Sequence, residues 1–226
     1  MSTSPRTGRI ILARHGQTYA NKNLVLDTLP PGAELTELGQ SQAQELGQKL
    51  AEFSGPHLGR IYSGVAIRAQ QTAMRAAASF REDSGLPLDR VLVREGVHEI
   101  SAGDLEGSTR REDAELYVEH FVRRLRGEQA ALPGGESLRA IVSRYLPVLV
   151  EMLNDHVDAG RDAVLVNHGA ISRTVATHAC ALEPEFARDH RLENCGLIVL
   201  EPRGRIFGRW TLTHWSDTPV EQLCGD

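Results

Sequence analysis

Lysine is almost missing from this chain of 226 residues. Of its 25 basic residues only Lys22 and Lys49 are lysines, the rest being arginine, and 30 acidic residues bring the formal charge to −5. No stretch gathers the arginines into a basic run. General nucleic-acid binding rests on a concentrated basic footprint, and a polybasic membrane anchor on clustered Lys and Arg. Neither nucleic acid nor membrane is therefore an expected partner. Cysteine is scarce too: Cys180, Cys195 and Cys224 are an odd, widely spaced set without a C-x-x-C pair. They form neither a disulfide framework nor a thiolate zinc site. The only early apolar run is Ile10 to Ala13, against about 7–15 residues for a signal peptide and about 20 for a membrane span, so the expected location is the cytoplasm. Internal repeats and low-complexity segments are absent.

What is present is ordinary for a folded domain. Apolar residues make up 41% and charged residues 24% of the chain, enough to bury a full core without staples. The length fits a single domain over 1–226, carrying an insertion. The arginine excess fits either a GC-rich genome or a need for planar, permanently charged phosphate ligands, and composition does not choose between them.

The apolar patterning alternates between strands and helices. Ile10 to Ala13 reads as a buried strand, Thr36 as the start of a helix running to Phe53, and Gly59 to Ser63 as a second strand. A helix from Ala66 to Phe80 follows, then a brief strand over 91–93. Residues 100–135 differ in character, with glycines and charges around a helix from Glu112 to Arg126, and are read as an insertion over the active site. Ser137 to Val157 has helical spacing, with Pro147 predicting a kink or a break. Ala163 to Val166 is the clearest strand, followed by a helix to about Cys180. Leu197 to Leu200 and Ile206 to Leu212 close the chain as strands around an Arg203-Gly204 turn. The economical architecture is a three-layer α/β/α fold with a mainly parallel central sheet. An exposed sheet edge in it offers a route to a homodimer.

In such folds the ligand crevice lies beyond the carboxyl ends of the strands. Arg14-His15, Ser63 and Asn167-His168 all fall at such ends. His15-Gly16 and His168-Gly169 are two His-Gly pairs in equivalent places, and two neutral imidazoles among cations suggest an anion site holding a nucleophile. Arg68 lies in the first turns of the helix after the second strand, where the dipole and an arginine fork both favour phosphate. A carboxyl near a strand end would supply a general acid. Glu95, Glu99, Asp104 and Glu106 are all candidates, and spacing does not choose among them. His57, His120, His156, His178, His190 and His214 read as surface or core-edge residues, and His98 as a weak neighbour of the site. No metal or cofactor is expected: no His-x-x-x-His pair occurs, and the histidines singled out adjoin cations, which repel metal.

In order along the chain stand Arg14-His15-Gly16-Gln17-Thr18, Leu35-Thr36-Glu37-Leu38-Gly39, Ser63 with Arg68-Ala69-Gln70-Gln71-Thr72-Ala73, Glu99 with Gly103 and Glu106-Gly107, Gly134-Gly135-Glu136-Ser137, and His168-Gly169. This ordered set resembles the histidine phosphatase superfamily, the phosphoglycerate mutase-like fold. The resemblance implies that His15 attacks a small phosphomonoester and becomes a phosphohistidine, which water hydrolyses. It implies that Arg14, Arg68 and His168 clamp the phosphoryl oxygens, with Asn21 and Gly169 completing the phosphate pocket, and that Glu99 protonates the leaving oxygen. The metabolic mutases continue their first motif with a second asparagine and a Gly-Trp pair. Here Leu24 stands in that place and Pro30-Pro31-Gly32 comes after it, which favours a phosphatase over a mutase. Arg123-Arg124, near where mutases place paired arginines for a substrate carboxylate, keeps the mutase as the alternative, although a solvated helix face is the favoured reading. Arg110-Arg111 has the same standing. A third reading, a phospho-ligand binder without activity, is opposed by the intact set Arg14, His15, Arg68, Glu99 and His168.

Overall fold

β1 (Ile10–Arg14) sends its side chains alternately into two apolar surroundings. Ile10 and Leu12 enter one buried cluster, Ile11 and Ala13 another. A strand buried on both faces, with a period of two, belongs in the middle of a layered fold. The computed structural model describes residues 6–223. After β1 come α1 (Tyr19–Lys22), α2 (Glu37–Phe53), β2 (Leu58–Gly64), α3 (Ile67–Ser84) and β3 (Leu92–Arg94). Then come α4 (Arg111–Leu125), α5 (Leu138–Asp155), β4 (Asp162–Asn167), α6 (Gly169–Cys180) and α7 (Pro184–Asp189). The last elements are β5 (Leu197–Glu201), β6 (Thr211–Trp215), β7 (Thr218–Pro219) and α8 (Val220–Leu223).

The sheet order is β3-β2-β4-β1-β5-β6-β7. β3, β2, β4 and β1 pair in parallel, and β5, β6 and β7 extend the sheet antiparallel. One face is covered by α2 and α3 through Leu46, Leu50, Ala69, Ala73 and Phe80. The other is covered by α4 to α7 through residues such as Phe121, Tyr145, Leu149, Ile171 and Ala187. The fold is therefore the expected three-layer α/β/α sandwich, with an antiparallel flank added to its parallel centre.

The register of β1 on β4 decides which residues emerge together at the strand ends. Asp162, which opens β4, is fully buried and accepts the guanidinium groups of Arg6 and Arg9 and the amide of Arg9. A buried carboxylate is tolerated only when paired and hydrogen-bonded in this way. The clamp fixes the two strands at their starts, and the parallel ladder then runs Ile10 opposite Ala163 through to Arg14 opposite Asn167.

Of the kink or break expected at Pro147, the break is not found: α5 is continuous through it. Pro147 and Ser143, whose carbonyl loses its partner, are both exposed, while Tyr145, Leu149 and Met152 hold both halves to the same core. The last long strand begins at Thr211, not Ile206. Residues 206–210 are instead tied to the end of α6, where the carbonyl of Ala179 accepts the amides of Gly208 and Trp210. Cys180 and Cys195 are free, and burial pushes both thiols up to about 12, which leaves them unreactive. Cys224 lies outside the described residues. Among the described residues no helix is long and apolar enough to cross a membrane.

Candidate active site

Because Arg14 and Asn167 are partners in the ladder, the residues that leave the two strands emerge side by side. The ring centroids of His15 and His168 are 5.2 Å apart and the rings meet edge to face. The amide of His15 donates to the carbonyl of Asn167 at 3.0 Å, and Asn194 Nδ2 donates to the carbonyl of His15 at 2.9 Å. Gly16 is required by the close approach of α2, since a Cβ there would strike the carbonyl of Gly39. Its amide donates to Thr72 Oγ1 on α3 at 3.0 Å.

The two imidazoles hold their protons in complementary ways. His15 Nδ1 lies 2.7 Å from the carbonyl of Gly16. A carbonyl only accepts, so Nδ1 carries the proton and Nε2 presents a lone pair. His168 is the reverse: its Nδ1 accepts from Arg68 Nε at 3.2 Å, so the proton sits on Nε2, which has no protein partner. One ring offers a nucleophilic nitrogen and the other a hydrogen-bond donor. Both rings are held well below the usual histidine value, first by burial and then by Arg68, with Arg14 adding to the effect on His15 and His15 to that on His168. Both are thus neutral at pH 7.

Arg68 is 2% exposed, and each of its nitrogens is engaged. Besides Nε on His168, Nη1 donates to Asp27 Oδ2 at 3.1 Å and Nη2 to the carbonyl of Asp27 at 2.9 Å. Asp27 comes from the loop after α1. The Pro30-Pro31-Gly32 segment leans on the same guanidinium: Gly32 has φ +67°, and a Cβ there would collide with Arg68 Nη1. Arg14 donates from Nη1 to the carbonyl of Leu192 at 2.8 Å, whereas its Nε is buried without a partner.

Glu99 reaches the site from the loop beyond β3 and lies on the first turn of α6. Oε2 accepts from the amide of Ala170 at 3.0 Å, and Oε1 from Ile171 at 2.9 Å and from Ile100 at 2.8 Å. Oε2 has the fewer partners and keeps a lone pair on which a proton can reside. Of the four acidic candidates only Glu99 lines the cavity. Glu106 holds the amides of Thr28 and Leu29 and so fastens the Asp27 loop. Asp104 lies against Gly134, and Glu95 and His98 border a different depression beside Arg144.

Arg14, His15, Asn21, Arg68, Glu99, His168 and Gly169 all line one cavity of about 260 Å³. Asn21 caps α1 in a reciprocal box with Thr18, which spends its oxygen. Ser63, by contrast, is buried and donates to the carbonyl of Gly64, outside the cavity. Neither arginine pair from the insertion reaches it. Arg110 and Arg111 are exposed and pair with Glu112 and Glu115, and Arg123 pairs with Glu128 at the surface. Arg124 is fully buried rather than solvated, donating to the carbonyl of Glu136. Five polar residues that the sequence patterns did not single out also line the cavity: Asp27, Thr28, Tyr117, Arg173 and Arg191. Arg173, four residues beyond Gly169 on α6, could have been found from helical spacing. Arg191 sits in a loop, and no local pattern marks it. Among the described residues no three His, Cys, Asp or Glu side chains converge to hold a metal ion.

A mostly parallel sheet whose central strands end in two apposed histidines, ringed by arginines, sets the chain in an α/β class with its cavity at the strand ends. Residues 10–218 match the histidine phosphatase superfamily (branch 1), and the chain belongs to that family. It is 30% identical to PE-PGRS family protein PE_PGRS11 of Mycobacterium tuberculosis, over 93% of this chain but only 37% of that protein's length. It is 32% identical to a 2,3-bisphosphoglycerate-dependent phosphoglycerate mutase of Azorhizobium caulinodans, over 78% of this chain and 83% of the other. The structure of a mycobacterial glucosyl-3-phosphoglycerate phosphatase superposes with a TM-score of 0.72 at 25% identity, covering 94% of this chain and 100% of that one.

Proposed function

We propose that the protein is a phosphomonoester hydrolase working through a phosphohistidine on His15. The observation that carries this reading is the opposite proton placement on the two rings, a bare Nε2 on His15 beside an unpartnered Nε2–H on His168. Phosphoryl transfer asks chiefly for in-line positioning and charge stabilisation. His15 Nε2 forms a bond to phosphorus as the bond from phosphorus to the ester oxygen breaks, and protonated Glu99 gives that oxygen its proton. Arg14, Arg68 and the His168 N–H carry the charge on the equatorial oxygens. In the second half, the Glu99 carboxylate takes a proton from water as the water oxygen bonds to phosphorus and the P–N bond breaks. Phosphate leaves, and both residues return to their starting states.

The test is acid-quench and base-quench trapping with a ³²P-labelled phosphomonoester. Wild type should carry base-stable label and His15→Ala none, with steady-state turnover in the variant lower by at least about 10⁴-fold. Equal rates in the two chains would sink the assignment. Glu99→Gln should lose about 10²–10⁴-fold, with most of the loss recovered on an ester of an acidic phenol, which departs without a proton. The mutase relatives make phosphotransfer the second reading, and a coupled isomerisation assay separates it from hydrolysis. Arg123 and Arg124, lying outside the cavity, weigh against it.

A further inference from the structure

Gly134-Gly135-Glu136-Ser137 has no place in the cavity wall, yet it stands behind the loop that brings Glu99 there. Residues 96–101 lie between β3 and Gly103 and belong to no helix or strand. Val97, Ile100 and Ser101 are buried, and the other three are half-buried. Among the described residues the backbone groups of this loop make no hydrogen bond to other backbone groups. Buried polar backbone needs partners, and here side chains supply them.

Arg144, on the second turn of α5, supplies most. Nη1 donates to the carbonyls of Gly96 at 2.6 Å and His98 at 2.9 Å, and Nη2 to the carbonyl of Glu99 at 3.1 Å. Nε and Nη2 also grip Glu136, at 2.6 Å to Oε1 and 2.9 Å to Oε2. Every N–H of the guanidinium is engaged, and none is left for a ligand. Glu136 accepts the amide of Ser101 through Oε2 at 3.1 Å, and its own carbonyl accepts from the buried Arg124 at 3.2 Å. Burial opposes the charge on Glu136, but the Arg144 fork outweighs it and holds the carboxyl below the usual range. Two glycines make the fit possible. A Cβ on Gly96 would strike the carbonyl of Arg144, and one on Gly135 would crowd the carbonyl of Ser101. Ser137 opens α5 by accepting the amide of Ala140, which sets Arg144 about two turns along the same face.

The carboxylate of Glu99 faces the other way. The first amides of a helix have no partner within it, and Glu99 takes those of Ala170 and Ile171 at the start of α6. One end of the residue is thus fixed by Arg144 and Glu136, and the other is received by α6.

We propose that Arg144 and Glu136 are positioning residues, holding the backbone of Glu99 so that its carboxylate stays on α6 at the cavity wall. The proposal rests on the reading of Glu99 as proton donor. The test is Arg144→Lys, which keeps a charge but cannot fork to three carbonyls and a carboxylate. Glu136→Gln is the milder change should the first variant fail to fold. Each should lower kcat on glycerol 1-phosphate by about 10–100-fold, the cost of a misplacement of about 1 Å, with KM nearly unchanged. On 4-nitrophenyl phosphate, whose phenol departs without a proton, the loss should be at most about threefold. In a Glu99→Gln background Arg144→Lys should cost little more. A loss equal on both esters, or one that adds in full to Glu99→Gln, would overturn the proposal and leave the pair a general support of the fold. Amide hydrogen exchange gives a readout that needs no chemistry. Exchange at Ala170 and Ile171 should quicken by about tenfold in Arg144→Lys while the amides of β4 keep their rates. Unchanged exchange would overturn the grip on the loop. If exchange quickens but Glu99→Gln matches wild type on both esters, the donor role of Glu99 fails and the placement of its carboxylate by Arg144 stands.

Discussion

The two arginine-bearing walls of the cavity are built on different principles. On one, Arg68 is buried and fully engaged, by His168, by the Asp27 carboxylate and by the Asp27 carbonyl. On the other, Arg14 keeps a buried Nε without a partner, and Arg173 and Arg191 have no carboxylate. The first wall is finished before any ligand arrives. Its guanidinium cannot swing, its charge is balanced, and it sets which ring nitrogen of His168 bears the proton. On the second the cations repel one another, with Glu99 pulling the other way. A pre-organised cation stabilises a transition state without reorganisation, while an unbalanced cluster contributes affinity and selectivity. The difference separates a guanidinium fixed by its protein partners from cations that, among the described residues, form no ion pair.

Three experiments press on this comparison. Arg68→Ala should have the largest effect, lowering kcat by about 10²–10³-fold, the usual cost of losing a pre-organised donor to a transferring group. It also frees His168 Nδ1, so the acid limb of the pH profile should move toward the ordinary histidine value. A change confined to KM would show that the braced wall only binds. Asp27→Asn keeps the shape and removes the charge, and a loss of about tenfold in kcat with little change in KM is expected. If the variant instead binds inorganic phosphate more tightly and turns over faster, Asp27 is a brake rather than a brace.

The smallest effect concerns stability. His15 and His168 are folded as neutral rings with depressed values, so the unfolded chain takes up protons first, near the ordinary 6.5. Stability from burying these neutral rings is whole above about pH 6.5 and is lost as pH falls below it, by at most about 1.4 kcal/mol per ring per pH unit. That corresponds to a fall in Tm of a few °C per unit. The slope should be shallower in Arg68→Ala, whose cation depresses both rings. A slope that ignores Arg68 would detach the braced wall from the histidines.

Much of the architecture was legible because it rests on local regularities. Thr36 caps α2 as its type and position suggest, and the apolar runs at 10–13 and 163–166 can be little else than buried strands. The histidine pair and Arg68 were legible as residues leaving strand ends or opening a helix. Glu99 was singled out only by the family resemblance, because Glu95, Asp104 and Glu106 share its local setting. What separates them is tertiary, since Glu106 is consumed in fastening Thr28 and Leu29 while Glu99 lands on the first turn of α6. Asp27 and Arg191 were invisible for the same reason, lying in loops whose destinations no periodicity encodes. Arg123-Arg124 misled in the opposite way. Adjacency in sequence puts neighbours on different sides of a helix, one in solvent and one in the core.

The central place of β1 has a consequence for the order of events during synthesis. His15 follows β1, yet both neighbours of that strand, β4 and β5, come much later in the chain. A nascent chain exposes Ile10 to Ala13 as an unpaired, sticky edge until most of the protein has left the ribosome. His15 keeps an ordinary imidazole until His168 and Arg68 close around it. The cavity is thus completed late, and a chain truncated before β4 leaves β1 unpaired and prone to aggregate.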